Sequence, residues 1–162
     1  ALIETEMKDM IQNNLLAQGD LSEPFIWLKP FYAYEQSISR DLMRLKTSPL
    51  TIRSINALKA AEWVQGQLHI EFAPQQKEAV IQALTDKVHI ITGGPGTGKS
   101  TITKAILSVT SKLTDKILLA APTGRAAKRM TQITGKKAFT IHALLEMDFA
   151  SGGFKRGKEN PL

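Results

Sequence analysis

Val88-His89-Ile90-Ile91-Thr92-Gly93-Gly94-Pro95-Gly96-Thr97-Gly98-Lys99-Ser100 runs from a β-branched apolar segment into a glycine loop that closes on Lys-Ser. Glycine, four residues, then Gly-Lys-Ser is the spacing of a phosphate-binding loop. The flanks are those such a loop requires: Val88–Thr92 reads as a buried strand. Ser100 to Leu113 reads as a helix with Ile102, Ala105, Ile106, Val109 and Leu113 on one face. Each residue type has a physical task. Glycines let successive backbone N–H groups turn inward on an anion. Lys99 adds a point charge, the helix beginning near it adds the positive end of its dipole, and Ser100 offers a hydroxyl to Mg²⁺. A glycine turn that only joins two elements needs neither the lysine nor the serine.

Outward from the loop, strand and helix patterns alternate, the mark of a parallel sheet with crossover helices. Gln75 to Leu84 reads as a helix with Pro74 near its first turn, Lys116 to Ala121 as the next buried strand, and Gly124 to Met130 as a short helix. Phe139 to Met147 reads as another helix, and the polar, basic tail from Asp148 to Leu162 as a flexible loop. Before Pro74 the pattern is mainly helical. Ile3, Met7, Met10, Ile11 and Leu15 share a helix face that runs to Gly19 as a stop. Phe25–Leu28, bounded by Pro24 and Pro30, reads as an edge strand or wing. Tyr34, Ile38, Leu42 and Leu45 mark a second helix ending at Thr47-Ser48-Pro49, and a third starts near Ser54 and runs toward Gly66. Two domains are expected, a small helical module over 1–71 and an α/β domain over 72–162. Trp27, Phe31, Tyr32, Tyr34 and Trp63 are read as packing aromatics rather than base-stacking ones.

Composition narrows the partners. Of 162 residues none is Cys and only His69, His89 and His142 are histidine, which removes disulfides and thiolate sites and disfavours zinc. The longest stretch without a charged residue, Val88–Gly98, is about half of the ~20 residues a membrane helix needs and is broken by Gly and Pro. Residues 1–74 hold seven Lys/Arg against nine Asp/Glu, whereas residues 75–162 hold fourteen against six. The basic excess lies with the phosphate loop and points to a polyanion, nucleotide or nucleic acid, although a solvated face made for solubility has the same charge. Ala1 in place of Met, with no signal-peptide pattern behind it, suggests a chain that begins inside a longer protein.

Three further segments give the loop a context. Gln75-Gln76-Lys77-Glu78 precedes it, Ala120-Ala121-Pro122-Thr123-Gly124-Arg125-Ala126-Ala127-Lys128-Arg129-Met130 closes the next strand, and Thr140-Ile141-His142-Ala143-Leu144-Leu145 follows. In order and spacing these resemble the glutamine motif and motifs I, Ia and Ib of superfamily 1 DNA helicases, nearest to the RecD-like group that includes the alpha subunit of exodeoxyribonuclease V. The resemblance covers residues 72–162 well and the first thirty only loosely. It implies an incomplete RecA-like P-loop NTPase domain of the α/β class. It also implies ATP and Mg²⁺ as cofactors, single-stranded DNA as a partner, the nuclease and helicase subunits of an exodeoxyribonuclease V complex as further partners, no membrane, and a bacterial cytoplasmic setting. By the same resemblance Lys99 and Ser100 are catalytic, with Ser100 on the metal. Nucleotide binding falls to Gln76, Gly93, Gly94, Pro95, Gly96, Thr97, Gly98, Lys99, Ser100 and Thr101, and DNA contact to Pro122, Thr123, Arg125 and His142.

The residues leave some of these roles open. An amide that donates and accepts suits an adenine edge, while the alternative for Gln76 is an exposed helix-start residue; the alternative for Arg125, clustered with Lys128 and Arg129 on one short helix, is a surface arginine, and that for His142 a helix-start packing residue. Motif II, an apolar strand ending in Asp-Glu, has no counterpart here, since Leu144-Leu145-Glu146-Met147-Asp148 has the wrong order within a helical pattern. The expectation is thus the amino-terminal part of a RecD-like helicase, ending before motif II. Such a chain binds nucleotide and DNA without completing hydrolysis; the whole protein would translocate 5′ to 3′ and unwind duplex in recombinational repair. An AAA-type remodelling ATPase, a nucleotide or small-molecule kinase and a non-enzymatic partner-docking module are the alternatives.

Overall fold

The computed structural model describes residues 2–20 and 24–162. By packing, the chain divides into two compact units, 1–49 and 50–162. The boundary expected at residue 71 falls earlier because the helix after Leu50 gives its apolar side to the core of the second unit.

In the first unit, α1 (Leu2–Gln12) ends short of Leu15, where Asn14 takes a left-handed conformation at φ 61°. β1 (Leu16–Asp20) and β2 (Pro24–Leu28) then pair antiparallel, with Ala17 opposite Trp27 and Gly19 opposite Phe25. Gly19, expected to stop a helix, is instead a strand residue. A β-carbon there would lie 3.0 Å from Trp27 Cζ3, so glycine admits the indole that crosses from the neighbouring strand. The Trp27 ring also meets Phe25 at 5.8 Å and Tyr32 at 5.4 Å, in agreement with a packing role for these aromatics. α2 (Lys29–Thr47) follows without a loop, Pro30 lying in its first turn where a missing N–H costs nothing, and ends at Ser48 before Pro49 as expected.

The second unit is built on three helices. α3 (Ala57–Leu68) starts at Asn56, whose side chain accepts a hydrogen bond from the Lys59 N–H at 3.0 Å, rather than at Ser54. It runs through Gly66 and closes on His69 at φ 51°. One interior glycine costs about 1 kcal/mol, which burial of Val64 outweighs. α4 (Pro74–Thr85) and α5 (Lys99–Thr110) pack on it, and Ala61, Val64, Phe72, Val80, Ile102, Ala105 and Val109 form the core between them.

Val88–Thr92 does not form the expected strand. Ile91 packs against the core while Ile90 is 75% exposed, and no described segment pairs with this backbone. An extended segment becomes a strand only when its N–H and C=O groups meet a partner. Pairing occurs farther on: β3 (Leu119–Ala121) lies parallel to β4 (Ala138–Thr140) with Ala121 opposite Thr140, and α6 (Gly124–Thr134) crosses between them. The helix expected over Phe139–Met147 thus splits into β4 and a single turn, α7 (Ile141–Leu144), because a short apolar run has no period long enough to distinguish helix from strand. The tail is not a plain loop: β5 (Met147–Asp148) and β6 (Gly153–Phe154) form a small hairpin, and Arg156 donates to Glu146 Oε1 at 2.8 and 2.6 Å. The unit is a helix-rich α/β domain with a small parallel sheet, the class its sequence pattern implies.

Candidate phosphate loop and its surroundings

The loop joins the extended segment to α5 and takes its shape from its glycines. Gly96 and Gly98 stand at φ 76° and 84°, which side-chain-bearing residues rarely adopt. A β-carbon on Gly98 would also sit 2.4 Å from Gln76 Nε2. The Thr97 hydroxyl donates to the Gly94 carbonyl at 2.9 Å and so closes the turn from inside. Gly98 has no side chain to cap α5, and the first α5 bond within this turn runs from the Ile102 N–H back to the Gly98 carbonyl. The N–H groups of Lys99, Ser100 and Thr101 therefore lie before the first helical hydrogen bond, at the positive end of the dipole.

Lys99 folds over this concavity. Its ammonium donates to the Gly93 carbonyl at 2.6 Å and to the Gly94 carbonyl, with no ion pair among the described residues. A charge held only by neutral oxygens, the two carbonyls and the Thr97 hydroxyl at 3.4 Å, beside uncapped N–H groups, fits a phosphate, which would take over the ammonium on binding. Beyond the loop opens a cleft of about 570 Å³ lined by Pro95–Ser100 and Thr103 on one side and by Ala126, Arg129, Met130, Ile133 and Thr134 of α6 on the other. The cleft is within the size range of small-ligand sites. Ser100 is among the lining residues, whereas Thr101 is exposed and outside the lining.

Gln76 is brought to the loop. Its Nε2 donates to the Thr97 carbonyl at 3.0 Å and its Oε1 accepts from the Ala73 N–H at 3.1 Å, so the amide caps α4 and braces the loop together. The proposed DNA residues lie at one end of the β3–β4 pair. Pro122 and Thr123 follow β3 and His142 follows β4, a neighbourhood fixed by the Ala121–Thr140 register. Thr123 and Thr140 each cap the helix that follows, accepting from the Ala126 and Ala143 N–H groups at 3.2 and 3.1 Å. Arg125 is exposed on α6 beside Lys128, Arg129 and Gln132. The His142 ring is also exposed and sits 5.8 Å from Phe154 of the hairpin. Sequence reasoning missed the α6 wall of the cleft, although Ala126, Arg129, Met130 and Ile133 share one helix face at i, i+3, i+4 and i+7.

A strand-connected α/β unit with this loop at a helix N-terminus is a P-loop nucleotide-binding domain. The model of the AAA domain family matches residues 76–162, and the chain belongs to that family as a RecD-like member. It is 39% identical over 87 residues to the ATP-dependent RecD2 DNA helicase of Deinococcus radiodurans, covering 54% of this chain and 12% of that one. With the RecBCD enzyme subunit RecD of Haemophilus influenzae it shares 34% over 155 residues, 81% of this chain and 24% of the relative. The ATP-dependent DNA helicase dda of phage T4 is 42% identical over 72 residues, 43% of this chain and 16% of its own. The chain thus spans a quarter or less of the length of these relatives. No described helix is long and apolar enough to cross a membrane.

Proposed function

We propose that this chain is the nucleotide-binding part of a RecD-type ATP-dependent DNA helicase, and that it also binds single-stranded DNA. The observation that carries the reading is the Lys99 ammonium held over an uncapped helix start by the Gly93 and Gly94 carbonyls, with the end of a two-stranded parallel sheet in the same unit. In this reading Lys99 and the first N–H groups of α5 hold the phosphates, the Ser100 hydroxyl supplies one ligand of a nucleotide-bound Mg²⁺, and Gln76 reaches the base edge from the loop. Pro122, Thr123, Arg125 and His142 track the strand backbone. The helicase names of the relatives favour this over an AAA-type remodelling ATPase or a docking module with an idle loop.

In this reading the helical module of residues 1–71 and the helicase part of residues 72–162 are separate functional parts, although packing joins residues 50–71 to the second unit. The parent protein would move 5′ to 3′ on single strands, in recombinational repair in the bacterial cytoplasm, alone or with exodeoxyribonuclease V subunits. None of the residues lining the cleft is Asp or Glu. In this reading the group that orients an attacking water comes from elsewhere in the parent protein, and the chain by itself binds nucleotide and DNA without completing hydrolysis.

Titration with fluorescent ADP tests the core of the reading. Binding by the native chain, lost on Lys99→Ala with circular dichroism unchanged, is the expected result; equal affinity for both proteins overturns it. Single strands should bind with a steep salt dependence whose slope falls by about one on Arg125→Ala. ATP turnover at a rate ordinary for helicases would show that the acidic group has been misplaced.

A further inference from the structure

Two rows of side chains on α6 meet at one residue. Ala126, Arg129, Met130 and Ile133 form the wall of the cleft that faces Lys99 and Ser100. Arg125, Lys128, Arg129 and Gln132 line a second concavity on the same helix. Arg129 belongs to both. Its exposed guanidinium makes no ion pair or hydrogen bond among the described residues, and from Lys116 to Leu145 the chain has six Lys/Arg and no Asp/Glu to neutralise it. Within the cleft the only charged side chains are Lys99 and Arg129, on opposite walls.

A cleft with one cation over a phosphate loop and a second across from it is matched by an anion longer than a single phosphate. The uncapped N–H groups of α5 and the Lys99 ammonium lie together at the loop, which provides for one phosphate there. Oxygens extending past the loop meet the α6 wall, where a planar guanidinium can take two of them at once. We propose that Arg129 is a specificity residue of the nucleotide site: it engages the terminal phosphate of a nucleoside triphosphate and so makes this chain prefer triphosphate over diphosphate. The inference rests on the nucleotide reading of the loop. Because Arg129 also borders the basic concavity, the same contact would turn the guanidinium away from an anion bound on that side.

The test is equilibrium binding of fluorescent ADP and of the non-hydrolysable triphosphate AMP-PNP, both with Mg²⁺, to the native 162-residue chain and to Arg129→Ala, Arg129→Lys and Lys99→Ala. Arg129→Ala should weaken AMP-PNP about tenfold and change ADP by less than about twofold. Arg129→Lys should recover part of the loss, and Lys99→Ala should weaken both ligands. Equal weakening of both ligands by Arg129→Ala would reduce Arg129 to general electrostatics. An unchanged pair of affinities, or a loss confined to single-stranded DNA binding, would place it on the outer concavity alone; each of these outcomes overturns the proposal while Lys99→Ala upholds the loop. Failure of the native chain to bind either nucleotide overturns the loop reading and this inference together.

Discussion

The amide of Gln76 spans two elements, with its Nε2 on the Thr97 carbonyl at 3.0 Å and its Oε1 on the Ala73 N–H at 3.1 Å. Whatever it does for a base, it already couples the start of α4 to the floor of the loop. Gln76→Glu keeps the acceptor for Ala73 but sets a carboxylate against the Thr97 carbonyl, whereas Gln76→Ala removes both bonds. Gln76→Ala should lose about 1 kcal/mol in urea unfolding, the ordinary cost of a lost helix cap. Gln76→Glu should lose less stability but show faster amide exchange at Thr97 and Gly98. Exchange at Thr97 and Gly98 as slow in both variants as in the native chain would mean that the brace does not hold the loop.

Gly98 is the second support. Its φ of 84° makes any side chain costly there, and a β-carbon would also push the Gln76 amide from its place on the loop. Gly98→Ala should destabilise the chain by about 1–3 kcal/mol and abolish ADP binding. Thermal unfolding and nucleotide titration of the variant measure the two effects, and an unshifted melting temperature would contradict the strain.

Val64 and Val80 are fully buried in the core that joins α3, α4 and α5. Truncating either to Ala removes buried methyl groups and leaves a void, so each variant should lose about 2 kcal/mol in urea unfolding. Since α5 carries Lys99, Val80→Ala is also expected to weaken nucleotide binding modestly, a second readout by isothermal titration.

The hairpin after α7 carries a pH dependence. Asp148 accepts from the Ala150 N–H at 3.0 Å and from the Ser151 hydroxyl at 3.0 Å, and these bonds, the Ala150 one foremost, hold its carboxyl below the usual aspartate range. A depressed folded value means that the carboxylate supports the turn above its unfolded pKa and that this support is lost as the pH falls through the folded one. The protection of the Ala150 amide, its exchange relative to an unstructured peptide at the same pH, should therefore be high at neutral pH and fall on acidification below the ordinary aspartate value. Asp148→Asn should remove that dependence; a profile unchanged by the substitution would detach it from Asp148.

By itself the sequence determined the features whose signals are local. The phosphate loop, the helix after it, the helix ending at Pro49 and the helix start at Pro74 follow from backbone permissions of Gly and Pro and from the spacing of apolar residues, which act over a turn or two of chain. The nucleotide class, and the kinship to RecD-like helicases carried by Gln76, Pro122–Met130 and Thr140–Leu145, were legible for the same reason. Tertiary structure decided what depends on a distant partner. Val88–Thr92 has a strand's composition but no neighbour to pair with among the described residues, while Ala138–Thr140, hidden in a helix-like pattern, becomes a strand because β3 lies alongside. Gly19 looks like a helix stop until Trp27 is seen to fill the space above it. Residues 50–71 join the second unit because α3 buries Ala61 and Val64 against α4 and α5, a choice made by core packing and not by any punctuation in the chain. The placement of Arg129 across from Lys99 belongs to the same kind, since a helix face acquires a function only when another element stands opposite it.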